Sequence, residues 1–339
     1  MIRESILLIN LGTPDAPTPS KVGKYLSEFL NDKRVIDIHP VARFILVNLI
    51  IVPTRRFRSS KLYQKIWTKA GSPLLLNSIA LKEKLQKKVG ERFLVELAMR
   101  YQSPSIKEAL ERLRKQQTSK IHILPLYPQY ASSSTGSTIE EVLRQIKNWE
   151  VIPDLHVVSK FYDHPKFLEA LLVEAKKHNI ADYDHVLFSY HGLPERQIKK
   201  ASAHYGANSC QLGDCCNVIT KNNQYCYRAN CFETTRRIVA ALNIPKEKHS
   251  STFQSRLSEG WLKPFSDKVI EELGKGGAKK LLVFSPAFVA DCLETIYEIG
   301  TEYEEIFKKH GGETITLVNS LNDSDVWVEA VEAIALGSN

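Results

Sequence analysis

The chain has 339 residues, enough for two domains of ordinary size or one large α/β unit, each with a core that needs no disulfides. Its 43% hydrophobic and 25% charged residues are the composition of an ordinary soluble protein, and no run approaches the roughly 20 apolar residues of a membrane span. The 46 Lys and Arg against 38 Asp and Glu give a net charge of +8, which attracts anions without choosing among nucleic acid, an acidic membrane surface and a small polyanion. The opening "MIRESILLINLGTPDAP" lacks the apolar run and cleavage site of a signal peptide, so the expected compartment is the cytoplasm.

Short β-rich runs alternate with helical periodicity, the signature of a mostly parallel sheet covered on both faces. In the first half they are "SILLINL" (5–11), "RVIDI" (34–38), "FLVELAM" (93–99) and "KIHILPL" (120–126). In the second half they are "DLHVVSK" (154–160), "DHVLFSY" (184–190), "SSTFQS" (250–255), "KLLVFS" (280–285) and "ETITLV" (313–318). Two sheets of about four strands follow, with a boundary near "NWEVIPD" (148–154), giving domains 1–150 and 151–320. The tail 321–339 carries a final helix, "SDVWVEAVEAIAL".

Among the helix signals, Ser137 followed by Glu140 reads as a capping box, and Asp163-His164-Pro165 as a second start. "VARFILVNLIIV" (41–52) is apolar almost all round and precedes the basic "PTRRFRSSK". Burial of this stretch is the favoured reading; an exposed apolar lip with a basic collar, suited to acidic lipids, is the other. The basic runs "RRFR" (55–58) and "RLRK" (112–115) have neither interleaved aromatics nor a DNA-reading motif, so no nucleic-acid partner is expected. No GxGxxG, GxxxxGK[ST] or GxSxG is present.

Ligands of open α/β sheets bind beyond the carboxyl ends of the strands, and three such turns stand out. "HGLPER" presents His191 at a strand tip, as a proton acceptor, a metal ligand or an ordinary satisfied histidine. After "KLLVFS", Asp291, Glu294, Glu298 and Glu302 recur at spacings of three and four, either a solvated acidic stripe or a ladder for a divalent cation. "PLYPQYASSSTGST" (125–138) sets Tyr127, Tyr130 and Ser132 ahead of a helix N-terminus, where a carboxylate and a flat aromatic ligand could bind.

With "LLINLGTPDAPTP" and the longer "FSPAFVADCLETIYEI", these turns resemble, in order, the motifs of the ferrochelatase family, enzymes that insert Fe²⁺ into protoporphyrin IX to form protohaem. The resemblance implies two Rossmann-like, chelatase-type domains, each a mostly parallel four-stranded sheet flanked by helices, with the porphyrin between them and the C-terminal helix packing back toward the first domain. It implies His191 and Glu294 as the catalytic pair, and Glu298 and Glu302 with them as handlers of the substrate Fe²⁺. Thr13, Lys65, Tyr130 and Ser132 are the implied porphyrin contacts. His191 would accept pyrrole protons, directly or through water. Coproporphyrin III as substrate, a non-catalytic haem- or metal-binding protein, and a basic nucleic-acid binder with structural zinc stay open as alternatives. The implied location is cytoplasmic or peripheral to the inner membrane face.

The last feature is "SCQLGDCCNVITKNNQYCYRANC", which gathers Cys210, Cys215, Cys216, Cys226 and Cys231. In a reducing compartment so many thiols suit a metal better than disulfides. The C-x4-CC-x9-C-x4-C spacing lacks zinc-ribbon knuckles, and the stretch near 206–231 is longer than in plain bacterial members of the family. Four of the five are expected to hold a [2Fe–2S] cluster of structural or sensing role, since inserting Fe²⁺ moves no electrons. Zinc and no metal remain the other readings.

Overall fold

The computed structural model describes residues 4–206 and 210–337. They form two compact units. One comprises the chain up to Tyr127, Ala131–Ser159 and the chain from Asn322 on; the other is Pro128–Tyr130 with Lys160–Leu321.

In the first unit β1 (Glu4–Gly12), β2 (Phe93–Tyr101), β3 (Lys120–Pro125) and β4 (Asp154–Val157) form a parallel sheet in the order β2-β1-β3-β4. A strand covered on both faces must be apolar throughout, and Ile6, Leu7, Leu8 and Ile9 of β1 are wholly buried. Leu7 and Ile9 pack with Leu110 and Leu113 of the helix Ile106–Lys115 and with Val142 of the helix Ser137–Ile146. β1 ends at Gly12, whose φ of +109° and whose absent Cβ, which would lie 2.0 Å from the Tyr101 carbonyl oxygen, admit only glycine. The C-terminal helix Asp325–Leu336 belongs to this unit, where Arg92 bonds Glu332 at 2.9 Å and the Ala335 carbonyl meets His122 at 3.0 Å.

The second unit repeats the plan with β5 (His185–His191), β6 (His249–Gln254), β7 (Lys280–Phe284) and β8 (Thr314–Leu317), parallel and in the order β6-β5-β7-β8. Leu187, Leu281 and Val283 pack against Ile270, Ile299 and Phe307 from the covering helices. In each sheet the strand order reverses between the first and third strands of the unit, so each has a switch point at the carboxyl ends of β1 and β3, or of β5 and β7. Both units thus have the doubly wound α/β architecture expected from sequence.

Four sequence expectations are corrected. "RVIDI" is not a strand, because Asp32 accepts the Val35 and Ile36 amides at 3.0 Å each and winds the segment into turns. The run at 154–160 does not open the second half; β4 pairs with β3, and the division falls between Ser159 and Lys160 rather than near 150. Ser137 and Glu140 form no capping box, because a π-helical turn, Ser132–Gly136, already precedes Ser137 and leaves it inside the helix. A capping box does form at Ser105 and Glu108, and His164 caps its helix as expected.

The apolar stretch is the fourth correction. It is helical, Pro40–Ile45 continuing through the π-helical Leu46–Ile51 into Val52–Ile66, but it is not buried. Val41 is 61% and Leu49 67% exposed, Phe44, Ile50 and Phe57 are also exposed, and Val47 points inward. Among the described residues no helix is long and apolar enough to cross a membrane.

Asp32, freed from any strand, anchors a buried polar cluster. Its Oδ2 accepts from Arg100 Nη2 at 2.7 Å, from Tyr101 OH at 2.9 Å and from Ser137 Oγ, while its Oδ1 accepts the Arg34 amide at 2.7 Å. Burial alone would raise its pKa, but these donors and the Arg100 charge outweigh it and hold the carboxyl below its ordinary range. Such a group stabilises the fold above its unfolded value, and the contribution disappears as pH falls through the folded value. Asp32→Ala should therefore cost about 3–5 kcal/mol near neutrality, because it strands Arg100. In urea denaturation the gap to wild type should narrow below about pH 4; a gap independent of pH would contradict the arrangement.

Candidate active site

His191 is the last residue of β5, placed at the switch point by a strand whose preceding residues are buried and leave only this tip turned outward. Its Nδ1 lies 2.7 Å from the Gly192 carbonyl oxygen, an acceptor only, so in the neutral ring Nδ1 carries the proton and Nε2 the lone pair. Its own carbonyl accepts from Tyr227 OH at 2.8 Å. The rings of Trp261 and Phe288 stand 6.5 and 6.3 Å from the imidazole. Gly192 has no room for a side chain, since a Cβ would lie 2.8 Å from the Gln254 carbonyl oxygen and 3.3 Å from Trp261.

The acidic residues enter after β7 on a helix that is π-helical from Glu294 to Tyr303. Such wide turns, closed by i→i+5 bonds, concentrate at functional sites and bring residues four and five apart over one another. Glu294 and Glu298 are half-buried and Glu302 is exposed, so the ladder runs outward to the surface. Asp291 sits just ahead of it, accepting Thr295 Oγ1 at 3.1 Å. The buried Cys292 thiol is pushed well up, by burial first and then by the Glu294 carboxylate beside it.

Glu298 is held from all sides. Oε1 accepts Ser255 N at 2.8 Å and Tyr303 OH at 2.9 Å; Oε2 accepts Gln254 Nε2 at 3.0 Å and Ser255 Oγ at 2.5 Å. Burial, and then the Glu298 charge, drive the Tyr303 phenol far above its usual range, so it stays a donor. Ser255 reaches both oxygens only by adopting a φ of +61°, strained for a residue with a Cβ. Gln254 also donates to the Glu294 carbonyl at 3.2 Å, and its own carbonyl accepts the Gly192 amide at 2.8 Å. His191 and the acidic helix are thereby joined through one residue.

Sequence reasoning passed over Gln254, Ser255, Trp261, Phe288 and Tyr303. A signal existed, since "SSTFQS" ends its strand at the same edge as "SYHG" with two polar residues. The expected porphyrin contacts divide between the units. Tyr130 lies in the second unit, its amide 3.4 Å from Asn230 Oδ1 and its ring 5.4 Å from that of Tyr225. Thr13, Lys65 and Ser132 lie in the first unit. Thr13 follows β1 and gives its hydroxyl proton to Ser72 at 2.9 Å; Ser132 follows β3 and accepts Arg34 Nη1 at 2.9 Å; Lys65 is exposed in the last turn of its helix.

The family model for ferrochelatase matches residues 3–338. The chain is 43% identical over 338 residues to a ferrochelatase of Coxiella burnetii (strain CbuK_Q154), covering 97% of this chain and 92% of that one. It is 42% identical over 334 residues to a ferrochelatase of Legionella pneumophila (strain Lens), covering 98% of each. The chain belongs to the ferrochelatase family. It is accordingly an enzyme, a lyase.

Solved structures share the fold at 12% identity. The sirohydrochlorin chelatase SirB from Bacillus subtilis subspecies spizizenii, in complex with cobalt, superposes with a TM-score of 0.55 over 99% of this chain and 97% of that one. SirB from Bacillus subtilis with Fe³⁺ gives 0.54, over 98% and 96%.

The cysteine expectation is overturned. Among the described residues, which include all five thiols, no group of three or more His, Cys, Asp or Glu side chains is gathered to hold a metal ion, so the [2Fe–2S] cluster has no ligand set. Residues 207–209 of that stretch lie outside the described residues. The thiols engage neighbours instead. The contact between the Cys216 and Cys226 thiols, with burial behind it, raises Cys216 above the ordinary thiol range, and the same contact lowers Cys226. Cys215 Sγ lies 3.9 Å from both Cys216 Sγ and the Gly213 carbonyl. Cys231 is wholly buried inside the helix Tyr227–Leu242, its thiol raised by that burial.

His191, Glu294, Glu298 and Glu302 form no such ion-holding group either. The acceptor positions of Glu298 are taken by protein donors.

Proposed function

We propose that the chain inserts Fe²⁺ into protoporphyrin IX, releasing the two pyrrole protons and forming protohaem. Membership of the ferrochelatase family supports the reaction class. The observation that carries the assignment of residues is the link from the His191 turn through Gln254 to Glu294 and Glu298.

A free-base porphyrin binds metal slowly, because two of its four inward-facing nitrogens still carry protons. Both must leave as the ion enters. His191 Nε2, unprotonated in the tautomer fixed by Gly192, accepts a pyrrole proton, and the rings of Trp261 and Phe288 beside it suit a flat aromatic macrocycle. Glu294 is the carboxylate left to meet the incoming Fe²⁺ or to take protons onward, and Glu302 ends the same path at the surface. Glu298 serves as their anchor. Tyr130 contacts the macrocycle from the unit that carries His191, and for Thr13, Lys65 and Ser132 of the first unit contact with it rests on the family resemblance alone, Lys65 as the partner of a propionate.

The exposed apolar lip, with Arg43, Arg55, Arg56 and Arg58 in the same stretch, fits the surface of an acidic bilayer from the inner face. A peripheral position there brings the enzyme to where a poorly soluble porphyrin collects.

Mixed without air with protoporphyrin IX and Fe²⁺, the wild type should form haem. His191→Ala should bind the porphyrin but turn over about 10² to 10⁴ times more slowly. Porphyrin binding without turnover by either form would favour a non-catalytic binder, and faster metallation of coproporphyrin III, assayed alongside, would move the substrate assignment. On sedimentation the wild type should travel with phosphatidylglycerol vesicles, less so at high salt, and Leu49→Asp should not. Equal recovery with phosphatidylcholine vesicles, or none with either, would sink the lipid contact.

A further inference from the structure

We infer that Gln254 is a positioning residue for this reaction: its carboxamide sets the acidic helix against the His191 turn. The inference rests on the function proposed above and adds to it a residue that never touches the substrate.

Gln254 is the last residue of β6, directly opposite His191 in the sheet, and is 1% exposed. Its main-chain carbonyl and both ends of its carboxamide are engaged. Its main-chain carbonyl accepts the Gly192 amide at 2.8 Å, which fixes the turn that in turn fixes the imidazole tautomer. Its side-chain Oε1 accepts Ser189 Oγ at 2.8 Å, and its Nε2 donates to Glu298 Oε2 at 3.0 Å and to the Glu294 carbonyl at 3.2 Å.

The orientation of the amide is itself determined. Ser189 Oγ lies 2.9 Å from Ser266 Oγ, which lies 2.8 Å from Thr252 Oγ1, and all three residues are wholly buried. On its other side the amide meets Glu298 Oε2 and the Glu294 carbonyl oxygen, both acceptors, so Oε1 is the end turned to Ser189 and takes its proton, leaving Ser189 to accept from Ser266 and Ser266 from Thr252. The NH₂ end must then face the carboxylate.

Among the described residues no cation is paired with Glu298; Gln254, Ser255 and Tyr303 hold it with neutral donors. The helix would stay packed without the amide, because Ile299, Tyr303 and Phe307 seat it in the core. Loss of the amide should therefore disturb where the carboxylates point more than whether the unit folds. The charged and titratable groups around Gln254 are Glu294, Glu298 and Tyr303 on that helix, His191 on β5, and Glu302 and Asp267, both of which act on Tyr303, with Arg256 paired to Asp267.

Gln254→Glu discriminates positioning from simple packing. The variant side chain is isosteric, but it faces a carboxylate, and two such groups in contact share one proton with a raised affinity. While that proton is held, the carboxyl hydroxyl donates to Glu298 as the amide did; once it is lost, two charges repel across the contact. Haem formation by Gln254→Glu, relative to wild type at the same pH, should lie within about tenfold at the acid end of the working range and fall toward about 10²-fold lower at the alkaline end. Gln254→Met has no donor at any pH and should be lower by about 10- to 100-fold throughout, with a flat ratio and with KM for the porphyrin little changed.

A Gln254→Glu ratio that stays flat with pH, or a Gln254→Met variant as active as wild type, would overturn the inference. Should circular dichroism show that neither variant folds, Ser189→Ala carries the test: it keeps every donor to Glu298 but removes the hydroxyl that tethers Oε1, so kcat should fall, and wild-type kcat in that variant would equally overturn the inference. A wild type that metallates no porphyrin sinks the proposed function instead, so the two failures are told apart.

Discussion

A carboxylate held by neutral donors governs the second unit's switch point. Among the described residues Glu298 receives four hydrogen bonds and no ion pair, so it is held by fixed dipoles that cannot swing away with a cation. Those donors come from the end of β6, from the strained Ser255 beyond it and from the helix that carries Glu298 itself. The π-helical run from Glu294 belongs to the same design, since its wide turn keeps Glu294 and Glu298 on one side while Ile299 and Tyr303 face the core. What results is one restrained carboxylate, a second at the inner end of the ladder and a third in solvent.

The two units solve the same packing problem with the same strand order, yet only the second carries the imidazole and acidic ladder at its switch point. The first places Thr13 after β1 and Ser132 after β3, both already hydrogen-bonded within the unit. It also carries the exposed apolar lip. The proposed chemistry and the proposed lipid contact thus fall on different copies of one architecture, consistent with function residing in strand-end loops rather than in the fold.

Much of this was legible in the residues. Parallel strands buried on both faces must be continuous apolar runs, so "SILLINL" and "KLLVFS" could hardly be anything else. "RVIDI" is also rich in β-branched residues, but Asp32, four positions before its centre, gathers local amides and Arg100, and tertiary electrostatics overrode β propensity. Ser137 has the spacing of a cap but spends its hydroxyl on Asp32 and Arg100. The lip misled for another reason: an apolar helix is equally apolar whether its partner is the protein core or something outside it. The candidate site was half legible, because His191 and the glutamates are reactive types at strand ends, whereas Gln254 acts only through partners that no local pattern names.

The decisive measurement is a crystal structure of the protein with metal-free protoporphyrin IX bound. The expected result is a macrocycle whose pyrrole nitrogens face His191 Nε2, with Glu294 beside them and Glu298 still held by Gln254, Ser255 and Tyr303. A porphyrin seated away from both His191 and Glu294, with the histidine ring turned so that Nδ1 rather than Nε2 is unprotonated, would contradict it.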